Sequence, residues 1–188
     1  MKRLPVLPTI VVAAAVATML ALGFWQLARK GEKEAMIARY SQAVELPGEV
    51  AFPRTPAEIE SALYRRSKVE CDRITARRTV AGSGPSGESG LAQIVTCDLN
   101  GGGTSEIALG LSRSPGPVAW RGGEVLGFVS NAGKGAVRLV AAPPVADLAP
   151  MARPDPRDLP NNHLAYAVQW FLFALTAVVI YALALRRR

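Results

Sequence analysis

Two long runs without a charged residue limit what this chain can fold into. The first run covers residues 4–28 and the second covers residues 164–185. A helix rises about 1.5 Å per residue, so about twenty apolar residues cross the hydrocarbon core of a bilayer. Each run is therefore predicted to form one transmembrane helix. The segment between them has the length of one small folded domain.

Each run also has an alternative interpretation. The first run could be a secretory signal peptide, but the apolar core of such peptides is usually about 7–15 residues long. The run here is longer, and Trp25 lies where an interfacial anchor belongs. The second run could be a buried helix of a soluble protein. Its length and the three arginines that follow it, residues 186–188, favour a membrane span instead.

The basic excess of the chain is concentrated at its ends. The sequence has 22 Lys+Arg and 15 Asp+Glu, a net charge of +7. Five basic residues flank the outer ends of the two runs: Lys2, Arg3, Arg186, Arg187 and Arg188. The segment between the runs is nearly balanced in charge, so no nucleic-acid partner is predicted.

The same charges predict the topology. Short basic flanks stay in the cytoplasm, whereas a long intervening segment is translocated largely regardless of its own charge. We therefore expect a multi-pass protein of the inner (cell) membrane with both termini in the cytoplasm. The predicted parts are residues 1–28, residues 29–162 outside the cytoplasm, and residues 163–188. In a bacterial cell the middle domain would be periplasmic, and in an organelle it would face the intermembrane space.

The middle segment changes from a helical to a strand periodicity. Residues 32–45 are predicted to continue the first helix, residues 46–55 to form a connector, and residues 56–66 to form a short amphipathic helix. Short strands are then predicted at residues 67–71, 74–81, 91–98, 105–111, 118–121, 125–130 and 136–141. This pattern predicts a membrane α+β fold, in which two transmembrane helices flank a small, mainly antiparallel β sandwich or open barrel. Residues 143–160 contain six prolines and are predicted to be an extended tether.

Cys71 and Cys97 are the only cysteines, and each lies in or beside a predicted strand. Outside the cytoplasm such a pair can form a disulfide. Sequence spacing does not give their distance, so two separate reduced thiols remain the alternative. There is no CxxC pair and only one histidine, so neither a structural zinc site nor a thioredoxin-like site is supported.

The only histidine, His163, is predicted at the extracytoplasmic mouth of the second span. On a helix, His163, Tyr166, Ala167 and Trp170 share one face. One interpretation is an interfacial histidine beside an aromatic belt. The other is a neutral imidazole that ligates a metal. A porphyrin iron fits this second interpretation best, because it needs one axial nitrogen and otherwise apolar walls.

Two glutamines accompany these aromatic residues. Gln26 lies near the end of the first run, and Gln169 lies about 9 Å deeper than His163 along the second helix. An antiparallel helix pair would bring the two glutamines to a similar level. Because an amide that faces lipid is costly, we expect them to face each other, a ligand or a partner protein.

Three stretches of the chain resemble the Surfeit locus protein 1 (SURF1) family, whose members are assembly factors for cytochrome c oxidase. They are residues 22–30 (LGFWQLARK), residues 64–66 (YRR) and residues 162–171 (NHLAYAVQWF). The layout of two spans around an extracytoplasmic domain also matches. The chain departs from the family in its middle domain, where residues 110–113 and 120–122 do not give the usual Arg-Gly-Trp order.

The resemblance implies a non-enzymatic chaperone of respiratory-chain biogenesis that binds haem a. It would aid haem insertion into the catalytic subunit of the oxidase, with the haem a delivery machinery and membrane lipid as further partners. His163 occupies the position of the family's haem-linked histidine and is the predicted axial ligand of the haem iron. The predicted walls and hydrogen-bonding partners of the haem are Phe24, Trp25, Gln26, Tyr166, Gln169 and Trp170.

Two other functions remain open. The protein could be a membrane scaffold that holds an oxidase subunit without binding haem. An electron-transfer protein is less favoured, because stable bis-histidine ligation needs a second histidine and the sequence has none.

Overall fold

The structure is a computed structural model that describes residues 5–133 and 135–187. Two compact units are present: the described residues up to Ala38 together with those from Leu159 onward, and Arg39–Asp158. The described residues do not include Lys2, Arg3, Leu4 and Arg188. The structure therefore does not test the parts of the span and topology predictions that concern these four residues.

Three α-helices, six strands and a 3-10 turn make up the described chain. The helices are α1 (Val6–Glu45), α2 (Pro56–Ala62) and α3 (His163–Arg186), and the 3-10 turn is Pro156–Asp158. The strands are β1 (Glu49–Ala51), β2 (Arg66–Ser83), β3 (Ser89–Leu99), β4 (Thr104–Ser112), β5 (Gly123–Gly133) and β6 (Ala136–Ala141).

Helices α1 and α3 are long and apolar enough to cross a membrane, as predicted. Most of their leucine, valine and isoleucine side chains are exposed, which suits contact with lipid tails. Pro8 lies in the first turn of α1, where a missing N–H costs little. Beyond the apolar run, α1 continues to Glu45 as expected, supported by ion pairs from Arg29 to Glu32 and from Lys30 to Glu34.

The strands form one sheet that closes on itself. The strand order is β1-β2-β3-β4-β6-β5, and β2 also pairs with β5. Strand β2 makes this possible because Arg66–Cys71 pairs with β5 while the rest of the strand pairs with β3. Register shifts after Cys71 and Ile74 bend β2 between these two partners. The two strands predicted at residues 67–71 and 74–81 are therefore a single bulged strand.

The sheet is mainly antiparallel, as predicted, but two of its strand pairs are parallel. The pairs β1–β2 and β4–β6 are parallel, and the other pairs are antiparallel. Strand β1 lies within residues 46–55, which were predicted to be a connector. The strand was missed because a three-residue strand next to Pro47 and Gly48 is too short to show a period of two.

Helix α2 ends at Ala62, earlier than predicted. At its start the Glu58 carboxylate accepts hydrogen bonds from the backbone N–H groups of Arg54 and Thr55, which lower the pKa of Glu58.

Two other predictions for the middle segment are wrong. Residues 118–121 form no strand; they are irregular and are held by Arg77, which donates to the carbonyl oxygens of Val118 and Trp120 at 3.0 and 2.6 Å. Residues 143–160 are not a free tether. Ala149 pairs with Leu111 of β4, and Met151 packs against the buried cluster of Ile94, Ala108 and Val140. The prolines of this segment remove backbone donors but do not prevent apolar packing.

A disulfide joins the two cysteines, which settles the alternative left open by their spacing. Cys71 on β2 and Cys97 on β3 have Cα atoms 5.4 Å apart, and both side chains are buried. Disulfides persist in oxidising compartments and are rare in the cytosol.

Removing this disulfide is expected to destabilise the protein. For the full chain in detergent, Cys71→Ala combined with Cys97→Ala should lower the free energy of unfolding by about 3 kcal/mol, because the unfolded chain loses a cross-link. Thermal unfolding followed by circular dichroism measures the effect. As a control, the wild-type protein should take up a thiol-alkylating reagent only after reduction. Labelling of two thiols without a reductant would contradict the disulfide.

Candidate functional site

Helices α1 and α3 pack together as an antiparallel pair through small residues. The Gly23 backbone lies against the Phe171 ring, so closely that a Cβ added at Gly23 would come within 2.5 Å of it. Ala167 and Ala174 of α3 are buried. Toward the other end of the pair, the Thr9 and Tyr181 hydroxyl groups lie 2.5 Å apart. Small side chains let membrane helices approach closely, and these contacts fix the register of the pair.

This register brings His163 and Gln26 together. His163 is the first residue of α3 and is half-buried. Its Nδ1 atom lies 2.7 Å from Oε1 of Gln26. A carbonyl oxygen only accepts, so the imidazole Nδ1–H donates and the Nε2 lone pair remains available. Metal-ligating histidines are commonly held in this way, with the second ring nitrogen donating to an acceptor that fixes the tautomer and the ring orientation.

An open cavity of about 310 Å³ lies beside His163. It is lined by Arg29, Glu32, Lys33, Met36 and His163. The four α1 residues share one face of the helix at spacings of three and four. The sequence alone does not assign them to the site, although they continue the spacing that begins at Gln26. The cavity therefore extends the site from the end of the apolar run to a charged part of α1.

The predicted aromatic residues are mostly exposed. The side chains of Phe24, Trp25 and Tyr166 are 63%, 53% and 52% exposed. The Phe24 ring also packs edge-on against Phe171, with centroids 5.3 Å apart. Trp170 is half-buried and packs edge-on against Phe173. These rings offer apolar surface around the end of the helix pair and do not form an enclosed pocket.

Gln169 does not face Gln26, so the first of the three expectations for the glutamines is wrong, and contact with a ligand or a partner protein stays a prediction. Gln169 follows the buried Ala167 by two residues, which places it about 200° away around the helix. Its side chain is exposed, while the amide oxygen of Gln26 is engaged by His163. The predicted level of the two amides is also wrong, because the Gln26 amide meets His163, and Gln169 lies about 9 Å further along α3.

The stretch Tyr64-Arg65-Arg66 belongs to the second unit, where its contacts are structural. Tyr64 has a φ of 64°, is buried and packs against Tyr40 with ring centroids 5.3 Å apart. Burial raises the pKa of its hydroxyl. Arg65 donates to the carbonyl oxygen of Pro47, and the Arg66 guanidinium lies over the Phe128 ring. This stretch joins α2 to β2.

A family model described as the SURF1 family matches residues 13–175. The matched range includes both apolar helices in large part, the whole sheet, and the His163–Gln26 pair. No curated protein matches the chain.

The close contact at Gly23 gives a test of the helix pairing. Gly23→Val should lower the stability of the solubilised protein by about 1–3 kcal/mol, because the new side chain overlaps the Phe171 ring. Gly31→Val is the matched control on the same helix, since a Cβ there meets nothing within 4 Å. The melting temperature in detergent measures both variants. An equal loss in both would show that the Gly23 contact does not hold the helices together.

Proposed function

Because the chain belongs to the SURF1 family, we propose that it binds haem a through His163 and aids its insertion into the catalytic subunit of cytochrome c oxidase. Membership of this family supports a role in cytochrome c oxidase assembly. The family is one of assembly factors and not a known enzyme class, so we assign no catalytic residue. The haem is cargo that the protein holds and releases.

The observation that carries the proposal is the hydrogen bond between His163 and Gln26. Donation from Nδ1–H to the amide oxygen leaves Nε2 as the only ring nitrogen with a free lone pair. An iron porphyrin accepts one such axial nitrogen. Gln26 acts as a positioning residue, because it fixes the tautomer and the direction of the ring without touching the iron.

The rest of the site suits a flat apolar ligand better than a bare metal ion. Within residues 5–133 and 135–187, no group of three or more His, Cys, Asp or Glu side chains is placed to hold a metal ion. A porphyrin supplies four iron ligands itself and needs apolar contact for its faces. The exposed rings of Phe24, Trp25 and Tyr166 are candidates for that contact.

The openness of the site suits transient binding. One protein ligand and partly exposed aromatic rings would hold haem less firmly than two axial ligands in a closed pocket.

The side chain of Gln169 lies away from α1, exposed at membrane depth. Amide side chains in membranes commonly form hydrogen bonds across helices. We propose that Gln169 contacts a transmembrane helix of a partner, with the catalytic subunit of the oxidase as the first candidate.

We further propose that both termini lie in the cytoplasm and the Arg39–Asp158 unit lies in the periplasm. The Cys71–Cys97 disulfide supports this orientation because such bonds persist in oxidising compartments. The basic residues near both termini support it independently.

The visible absorption spectrum tests the haem proposal. Full-length protein purified from cells that make haem a should carry haem, and His163→Ala should abolish its axial-ligand signature. Gln26→Ala should weaken haem binding by about 10–100-fold, because the imidazole loses the acceptor that orients it. Thr18→Ala is the matched control in α1, since the Thr18 hydroxyl bonds only to the Ala14 carbonyl oxygen of its own helix.

The outcomes separate the candidate functions. Wild-type protein that co-purifies with an oxidase subunit but carries no haem would favour the scaffold. Haem retained with an unchanged spectrum by His163→Ala would remove His163 as the ligand.

A further inference from the structure

We propose that Lys33 binds a carboxylate of the haem that His163 ligates, with Arg29 as a secondary contact. This inference rests on the proposed function and assigns a residue that selects the ligand by its charge. It begins from the cavity beside His163, which Lys33 and Arg29 also line.

The ion pairs along α1 single out Lys33. Arg29 pairs with Glu32 at 2.6 Å, and Lys30 pairs with Glu34 at 2.7 Å. Among the described residues, Lys33 takes part in no salt bridge, and the Glu32 carboxylate that lines the same cavity is paired with Arg29. Lys33 is also half-buried. An ammonium group that makes no salt bridge is available to bind an anionic ligand.

The cavity therefore has two different binding groups. His163 offers a nitrogen to a metal, and Lys33 offers a cation one turn beyond Arg29 on α1. Met36, one turn further, adds a polarizable apolar side chain that adapts to irregular surfaces. A ligand that fits carries a metal centre, an apolar ring and a carboxylate at one edge.

The orientation of the ligand follows from where the charges lie along α1. The apolar run ends before Arg29, and the charged residues follow it. A haem bound at His163 would direct its carboxylates toward Lys33 and leave its apolar edge among the aromatic side chains of the spans. This arrangement keeps the charged groups of protein and ligand out of the hydrocarbon core.

Comparison of a free acid with its ester tests the proposal. Full-length protein in detergent is titrated with iron protoporphyrin IX and, separately, with its dimethyl ester, which lacks the two negative charges. Affinity is read from the Soret band. Wild type should bind the free acid about threefold to tenfold more tightly than the ester, as expected for a partly exposed ion pair. Lys33→Gln should remove most of that preference and leave ester binding unchanged.

Two variants serve as controls. Lys30→Gln removes an equal charge that Glu34 already neutralises, so it should keep the preference for the free acid. His163→Ala should weaken the binding of both probes, because it removes the metal ligand common to both. Equal wild-type affinity for the two probes, or equal weakening of both by Lys33→Gln, would overturn the role of Lys33 while leaving haem binding intact. Failure of the wild type to bind either probe would overturn the proposed function together with this inference.

A lipid phosphate is the other anion that Lys33 could meet at a membrane surface. The titrations are therefore repeated in vesicles of phosphatidylcholine alone and of phosphatidylcholine with phosphatidylglycerol. A preference for the free acid that is the same in both supports the haem carboxylate. Loss of the preference in the anionic vesicles would assign Lys33 to the lipid and overturn the proposal.

Discussion

A polar side chain within a bilayer needs a partner, and this requirement explains how α1 and α3 are arranged. Thr18 and Thr176 bond to carbonyl oxygens of their own helices, so they place no demand on the neighbouring helix. Gln26 and His163 satisfy each other across the pair. The contact between Gly23 and Phe171 brings the backbones close enough for that hydrogen bond. The candidate ligand nitrogen is thus oriented by the same contacts that hold the two helices together.

The Arg39–Asp158 unit is subject to a different constraint, because the edge strands of a sheet expose unpaired backbone N–H and C=O groups. Strand β2 is long enough to pair with β5 through Arg66–Cys71 and with β3 from Cys71 to its end at Ser83. Closure removes most of the free edge. The disulfide from Cys71 lies where β2 changes partner, so it cross-links the strand at its bend. Met151, from the proline-rich segment, packs against the sheet core and adds to the apolar area that a unit of this size can bury.

The sequence predicted the elements that carry a strong period or a long apolar run. Both spans, the extension of α1 to Glu45 and most strands were predictable for this reason. The strand predicted at residues 118–121 failed because Arg77 holds that segment by its carbonyl oxygens in place of a strand ladder. The position of His163 at the start of α3 was predictable, because the apolar run begins at the next residue. The partner of Gln26 was not predictable, because the position of a residue within each apolar run does not give the register in which the two helices pack. A binding role for Lys33 was not predictable from the sequence, because it depends on which neighbouring charged side chains form ion pairs.

The hydrogen bond between Gln26 and His163 restricts how the two positions can vary in evolution. The two residues lie at opposite ends of the sequence, yet each satisfies the other's hydrogen-bonding group near the membrane surface. Loss of either one alone leaves the other, which is half-buried, without its hydrogen-bonding partner, and this destabilises the folded protein. The two positions should therefore co-vary in homologous sequences. Where position 163 keeps the imidazole, position 26 should keep a carbonyl or carboxylate acceptor.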